Sequence, residues 1–178
     1  MEELEDPTES LKETMEAAEE QKEKWTLYVA LSTAIIAVLA AIAGLYGNHH
    51  ANEAMLDQIA SSDKWAYYQA KGIKAEITSA TAQVLTAIGK PLPPENVEKA
   101  AKYEKDKAEI KAQAEEAQKS SESHMRQHIV LSRSVTIFQI AIAISAIAIL
   151  TRKKLMWYVS MLLAAAGMYF LVVGFLTT

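Results

Sequence analysis

The sequence predicts an all-α membrane protein with three transmembrane helices and a long antiparallel extramembrane helical hairpin between the first and the second. Three apolar blocks, residues 25–47, 134–151 and 155–177, contain no charged residue, and a membrane-spanning helix needs about 20 such residues. Residues 48–133 are charged and alanine-rich, which is typical of helices in water. Prolines at 91, 93 and 94 interrupt this stretch, and proline cannot continue a helix. We therefore expect two helical arms joined by a turn at residues 89–94.

The composition excludes some classes of function. The formal net charge is -4, with lysine and glutamate interspersed along residues 48–133, so no basic field favours nucleic acid as a partner. The chain has no cysteine, which excludes disulfides, thiolate metal sites and a cysteine nucleophile. The absence of cysteine does not indicate a redox compartment, because it is compatible with either.

Residues 1–24 form an acidic N-terminal leader. Asp6-Pro7 resembles a helix start, and Leu11, Met15 and Ala18 recur at the spacing of one helix face. A short amphipathic helix and a solvated leader are both compatible with this pattern. An acidic leader before so long an apolar block is not typical of a cleaved signal peptide.

The first predicted transmembrane helix, residues 25–47, has aromatic side chains near both ends, as is typical of a membrane interface. Its small residues follow a 4-3-4-3 spacing and lie on one face, where they would let another helix approach closely. A high alanine content alone could also produce the pattern. These predicted packing positions are Ala30, Ala34, Ala37, Ala41 and Gly44.

Both arms of the hairpin show the seven-residue repeat of a coiled coil. In the first arm the repeat is carried by Ile59, Ala66, Ala70, Ile73, Ile77, Ala80 and Val84. In the second it is carried by Tyr103, Ile110, Ala114, Ala117, Ser121, His124, His128 and Leu131. A symmetric turn would place His124 beside Ile59 and His128 beside Met55. A hairpin so rich in alanine buries little apolar area, so we expect a homo-oligomer.

The second and third predicted transmembrane helices are joined by the short basic sequence Arg152-Lys153-Lys154. Short cytoplasmic loops carry such residues, so we expect this turn and the amino terminus in the cytoplasm. The hairpin would then lie in the periplasm, because loops longer than about 60 residues cross the membrane largely regardless of their charge.

No catalytic or nucleotide-binding motif occurs, and the three spans contain no aspartate, glutamate, lysine, arginine or histidine. Ion-coupled carriers and voltage sensors normally need such a group, so we expect neither an enzyme nor a carrier, and no cofactor. Gln139 is the one large polar residue deep in a span. It could hydrogen-bond to a neighbouring helix or, in a ring of subunits, line a pore.

The four histidines cluster near the foot of the predicted hairpin: His49, His50, His124 and His128. Two imidazoles one helical turn apart can share zinc, nickel or copper. The symmetric register places His124 and His50 too far apart for one site. A metal site therefore stays an alternative to histidines that simply pack between the arms.

The segment from Ser61 to Lys71 concentrates aromatic residues on two faces of one helix. A two-helix contact cannot cover both faces, so another hairpin or a partner protein would cover some of these rings. The predicted contact residues are Trp65, Tyr67, Tyr68 and Tyr103.

In the segment Ser62 to Lys71, read S-D-K-W-A-Y-Y-Q-A-K, the chain resembles the bacterial membrane proteins grouped as domain of unknown function number 4337. The resemblance covers most of the chain, from the first span to the paired last spans. It implies a multi-pass protein of the bacterial inner membrane. It implies no activity, cofactor or catalytic residue.

Together these observations predict a non-enzymatic homo-oligomeric inner-membrane protein, in contact with lipid, that forms a scaffold or a partner-binding assembly through packed hairpins. The first alternative is an oligomeric channel or pore. The second is a metal-binding sensor that uses the four histidines.

Overall fold

The computed structural model describes residues 7–176, and all of its regular structure is helical. Helix α1 spans Pro7–Ala87, α2 spans Pro94–Thr151 and α3 spans Lys154–Leu176. Each contains a stretch long and apolar enough to cross a membrane, which confirms the predicted all-α class with three such helices. Residues 1–6 of the leader, the side chains of Leu11 and Ala18, and Thr177 lie outside the described residues.

Helix α1 ends in a glycine cap. The N–H of Gly89 donates to the Thr86 carbonyl at 3.1 Å, and the N–H of Lys90 donates to the Leu85 carbonyl at 2.9 Å. These two bonds form the Schellman motif, which needs a residue in the left-handed conformation. Gly89 adopts a φ of 69°, and it does so without the clash that a side chain would cause.

Helices α2 and α3 are separated by the two residues Arg152 and Lys153. Arg152 adopts a positive φ of 54°, and its N–H donates to the Ile149 carbonyl at 3.3 Å. A left-handed residue reverses the chain direction within a few atoms. The basic side chains of this turn are exposed.

The helices form two compact units. The apolar unit comprises residues 7–47 and 129–176, and the polar unit comprises Asn48–His128. Helices α1 and α2 contribute to both units, whereas α3 belongs to the apolar unit.

The apolar unit packs a small core and ties its helices together with hydroxyl groups. Its core residues are Ile36, Ala43, Leu131, Phe138, Ala141, Ala164 and Leu171. Ser160 Oγ donates to the Ala141 carbonyl at 2.7 Å, and Ser134 Oγ donates to the Gly167 carbonyl at 2.8 Å. Such bonds satisfy serine where no water is present and hold apolar helices together.

In the polar unit α1 meets α2 through small and hydroxyl-bearing side chains. Ser61 Oγ donates to the Ala114 carbonyl at 3.1 Å, and Ser121 Oγ donates to the Ala54 carbonyl at 2.7 Å. The face predicted for α2 lies in this contact, since Ile110, Ala114 and Ser121 are buried. The prediction of which face of α1 contacts α2 is wrong. All seven residues of the predicted face are exposed, because small side chains at positions 54 and 61 let the two backbones come closer than isoleucine would.

The predicted register of the two arms is also wrong. Ser121 contacts Ala54, and His124 contacts His50 rather than Ile59. The symmetric register assumed that the turn advances like a helix. Residues 90–93 have no helical structure, and an extended residue covers about 3.3 Å where a helical one covers about 1.5 Å. The extended turn carries the chain further towards the amino-terminal end of α1. Each residue of α2 therefore lies beside an earlier residue of α1 than the symmetric register predicts.

Candidate interaction surface

The seven residues predicted as the α1 contact form an uncovered apolar surface on the polar unit, here termed the outer stripe: Ile59, Ala66, Ala70, Ile73, Ile77, Ala80 and Val84. Ile73, Ile77 and Val84 have about three fifths of their surface exposed, at 58%, 60% and 61%. Ile77 follows Ser61 by 16 residues, which at 3.6 residues per turn places it about 160° around the helix. The outer stripe therefore lies on the side of α1 opposite α2.

Exposure of large apolar side chains in the polar unit is concentrated on α1. Seven such residues of α1 are exposed between positions 48 and 87, against Val97 and Met125 in α2 up to position 128. Over the same ranges α1 carries 7 charged residues and α2 carries 15. A contiguous exposed apolar surface is typical of an interaction site. Helix α1 therefore carries the candidate interaction face.

The four aromatic residues predicted as contact anchors lie in two pairs, Trp65 with Tyr68 and, on either side of Lys71, Tyr67 with Tyr103. Trp65 and Tyr68 pack edge to face with ring centroids 5.6 Å apart, and both are half-buried, as is Tyr103. Tyr67 is 52% exposed. The arms of this chain thus cover three of the four rings in part. Contact of these rings with another molecule stays a prediction.

Lys71 lies beside two of these rings and forms an ion pair with a residue of α2. Its Nζ lies 2.6 Å from Asp106 Oδ2, 5.3 Å from the centre of the Tyr67 ring and 5.4 Å from that of Tyr103. The hydrogen bond to Asp106 raises the pKa of Lys71 and lowers the pKa of Asp106, because it stabilises the charged form of each group. Both groups are therefore charged at neutral pH.

The histidines are closer than the predicted register allowed. His50 Nδ1 lies 3.0 Å from His124 Nδ1, and their rings stack at 5.3 Å between centroids. Burial, and then the nearby His124 and His49, lower the pKa of His50. Among residues 7–176 no group of three histidine, cysteine, aspartate or glutamate side chains is arranged to hold a metal ion. The pair therefore lacks a third ligand of these types in the described part of the chain.

In the apolar unit the predicted small-residue positions face outward. Ala30, Ala34, Ala37 and Ala41 are exposed and Gly44 is half-buried, whereas α1 contributes Ile36 and Ala43 to the core. Gln139 is exposed as well. None of the four alanines is therefore buried against α2 or α3. Their packing against a helix of another molecule stays a prediction, as does that of Gln139.

The comparisons with known proteins establish a family. The family model described as Domain of unknown function (DUF4337) matches residues 25–177. The chain belongs to this family. No curated protein and no solved structure matches the chain.

In this DUF4337 chain, sequence reasoning missed the serines that join α1 to α2. The signal was a second seven-residue repeat in α1, made mostly of small residues: Ala54, Ser61, Tyr68, Ala75 and Ala82. The isoleucine repeat is the more hydrophobic of the two, so hydrophobicity alone favours it as the contact face. The partners of Lys71 were missed because the ion pair depends on a register that the sequence does not specify.

Proposed function

We propose that this protein is a non-enzymatic homo-oligomeric protein of the bacterial inner membrane, and that it forms a scaffold or a partner-binding assembly. The observation that carries the proposal is the outer stripe, an apolar surface on a helix whose opposite side already packs against α2. Coiled-coil helices with two such faces build assemblies of more than two helices.

A membrane location is supported by the three apolar stretches in α1, α2 and α3 and by the buried serines that hydrogen-bond between helices in the apolar unit. An antiparallel hairpin is supported by the contacts of the polar unit. Ala54 contacts Ser121, Ser61 contacts Ala114 and Lys71 contacts Asp106. The residue numbers of the partners in α2 thus decrease as those in α1 increase, as they do in antiparallel helices.

The sidedness follows from the exposed basic turn at Arg152 and Lys153 between α2 and α3. Basic residues in a short loop hold that loop in the cytoplasm. The hairpin is then periplasmic. A non-enzymatic role is supported by the structural bonding of the buried serines. Those at positions 61, 121, 134 and 160 donate to backbone carbonyls, and Ser145 bonds to the Thr33 hydroxyl.

The test is the protein mass of the full chain in mild detergent, measured by light scattering with the detergent contribution subtracted. We expect an integral multiple of 19.6 kDa that persists on dilution. The variant Ile73→Lys/Ile77→Lys places two charges on the outer stripe and should shift the particles toward smaller species, whereas Ala101→Lys, on the exposed side of α2, should not. A wild-type mass of one subunit at all concentrations would contradict the proposal.

A further inference from the structure

We propose that the outer stripe pairs with the outer stripe of a second copy, with the two α1 helices parallel and in register about a twofold axis. The inference rests on the proposed function. Copies inserted in one membrane in the same direction present their α1 helices in parallel. It goes further by naming the interface and its symmetry.

The spacing of the outer stripe fits a helix partner. From Ala66 to Val84 its members are separated by 4, 3, 4, 3 and 4 residues, which is the repeat of a two-helix contact. The face that contacts α2, through Ala54 and Ser61, lies on the other side of the helix. One helix thus carries two contact faces, and this chain fills one of them.

Between Ala66 and Val84 the two edges of the outer stripe carry opposite charges, whereas Asp63, before this range, lies on the same edge as Lys74. At 100° per residue, Lys74 lies about 80° to one side of the centre of the stripe, and Glu76 lies about 80° to the other. Both side chains are exposed. Neither takes part in an ion pair of the described chain with a side chain in α1 or α2.

These edges choose between the possible pairings. A twofold axis parallel to the helices brings one edge of a stripe against the opposite edge of its partner, so Lys74 of each copy lies beside Glu76 of the other. A twofold axis perpendicular to the helices makes them antiparallel and brings the same edge of each stripe together. If this axis passes close to Lys74, it places Lys74 of one copy against Lys74 of the other. Opposite charges at the edges of a helix pair set its orientation. The charges therefore complement a second copy in the parallel arrangement.

A second copy also explains why the surface is tolerated. A long exposed apolar stripe on a free helix invites nonspecific association. Copies held in one membrane meet at high effective concentration, so a stripe with three alanines among its seven residues suffices for pairing. Smaller side chains also let two helices approach closely without excluding either α2.

The test uses the absence of native cysteine. Ile77→Cys in the full chain, in membranes, should form a disulfide between copies under mild oxidation and give a band at twice 19.6 kDa. Ala101→Cys is the matched control. It lies on the exposed side of α2 near the height of Ile77, and it should form at least about fivefold less of this product, because parallel pairing through the outer stripe keeps the α2 helices apart.

The charges are tested in the Ile77→Cys background. Lys74→Glu and Glu76→Lys should each lower the yield of the disulfide by about threefold, because each sets like charges against one another. The double variant Lys74→Glu/Glu76→Lys should restore it. If it does not restore the yield, the parallel twofold arrangement is wrong.

The outcomes separate this inference from the proposed function. If Ile77→Cys forms no dimer band while the wild-type mass in detergent is that of an oligomer, the interface is wrong and the proposed function stands. If the wild-type protein is a single subunit, both are wrong. A band from Ala101→Cys equal to that from Ile77→Cys would show random collision and would also overturn the interface.

Discussion

The contact between His50 and His124 is a residue-level feature that should depend on pH. Nδ1 of one ring lies 3.0 Å from Nδ1 of the other, so one ring donates a proton and the other must be neutral to accept it. Burial lowers the pKa of His50, and the nearby His124, His49 and His128 lower it further, whereas Glu53 opposes this effect. Acid should therefore weaken this contact.

The pH dependence of stability follows from the sign of that shift. The ordinary pKa of His50 is 6.5, and it is lower in the folded protein. As the pH falls below about 6.5, the unfolded chain binds a proton at His50 that the folded chain does not. The free energy of unfolding is therefore unaffected by His50 well above pH 6.5 and decreases below it.

We expect the thermal unfolding midpoint of the wild-type protein to fall as the pH decreases from about 8 to about 5. In His50→Asn this fall should be clearly smaller, because asparagine does not titrate. The midpoint is measured by circular dichroism in detergent. An equal fall in the variant and the wild type would show that His50 is not responsible.

At the scale of the helices, the sequence predicted the all-α class with three long apolar stretches and the α2 contact, but not the α1 contact. Helix α2 has one repeat of small and apolar residues, so the predicted face coincides with the buried one at Ile110, Ala114 and Ser121. Helix α1 has two such repeats. Hydrophobicity favours the one with isoleucine, whereas close packing against α2 uses the one with Ala54 and Ser61.

The register was beyond prediction for a different physical reason. It depends on how far the residues after Gly89 travel, and that distance changes about twofold between helical and extended backbone. The proximity of His50 to His124, and of Lys71 to Asp106, follows from the register. The candidate site could therefore be predicted as a set of residue types, but not as a set of contacts.

Close packing of helices in the apolar unit gives a prediction at Gly167. A methyl group built there would lie 2.8 Å from two ring carbons of Phe138, and Phe138 is fully buried. Overpacking of this kind costs about 1 to 3 kcal/mol. We therefore expect Gly167→Ala to unfold at a lower fraction of denaturing detergent than the wild type, as measured by helix content in mixed micelles.

Gly44→Ala is the control for this experiment. The nearest atom to a methyl group at Gly44 is Val135 Cγ2 at 3.9 Å, an ordinary contact distance. This variant should unfold like the wild type or at a higher fraction of denaturing detergent, because alanine favours helix over glycine. Equal destabilisation by the two variants would show that the clash with Phe138 is not the cause.

At the scale of the whole molecule, the proposals assign different work to the two kinds of helical surface. The small and serine-rich faces hold the helices of one chain together, and their bonds reach backbone carbonyls that every helix supplies. The outer stripe and the four exposed alanines of α1 are left for other copies. On these proposals, insertion of the copies in one membrane aligns those surfaces, so weak individual contacts would be sufficient for assembly.

Because alignment depends on insertion, the assembly rests on the prediction that the two turns lie on opposite sides of the membrane. The chain contains no cysteine, so Lys90→Cys, in the turn between α1 and α2, and Arg152→Cys, in the turn between α2 and α3, can each be labelled alone. With intact cells and a maleimide that does not cross the inner membrane, Lys90→Cys should react and Arg152→Cys should react only after permeabilisation, because the basic turn is held in the cytoplasm. The reverse result would invert the topology but preserve the parallel alignment of α1. Equal labelling of both positions in intact cells would mean that the two turns share a side, and α2 would then not cross the membrane as proposed.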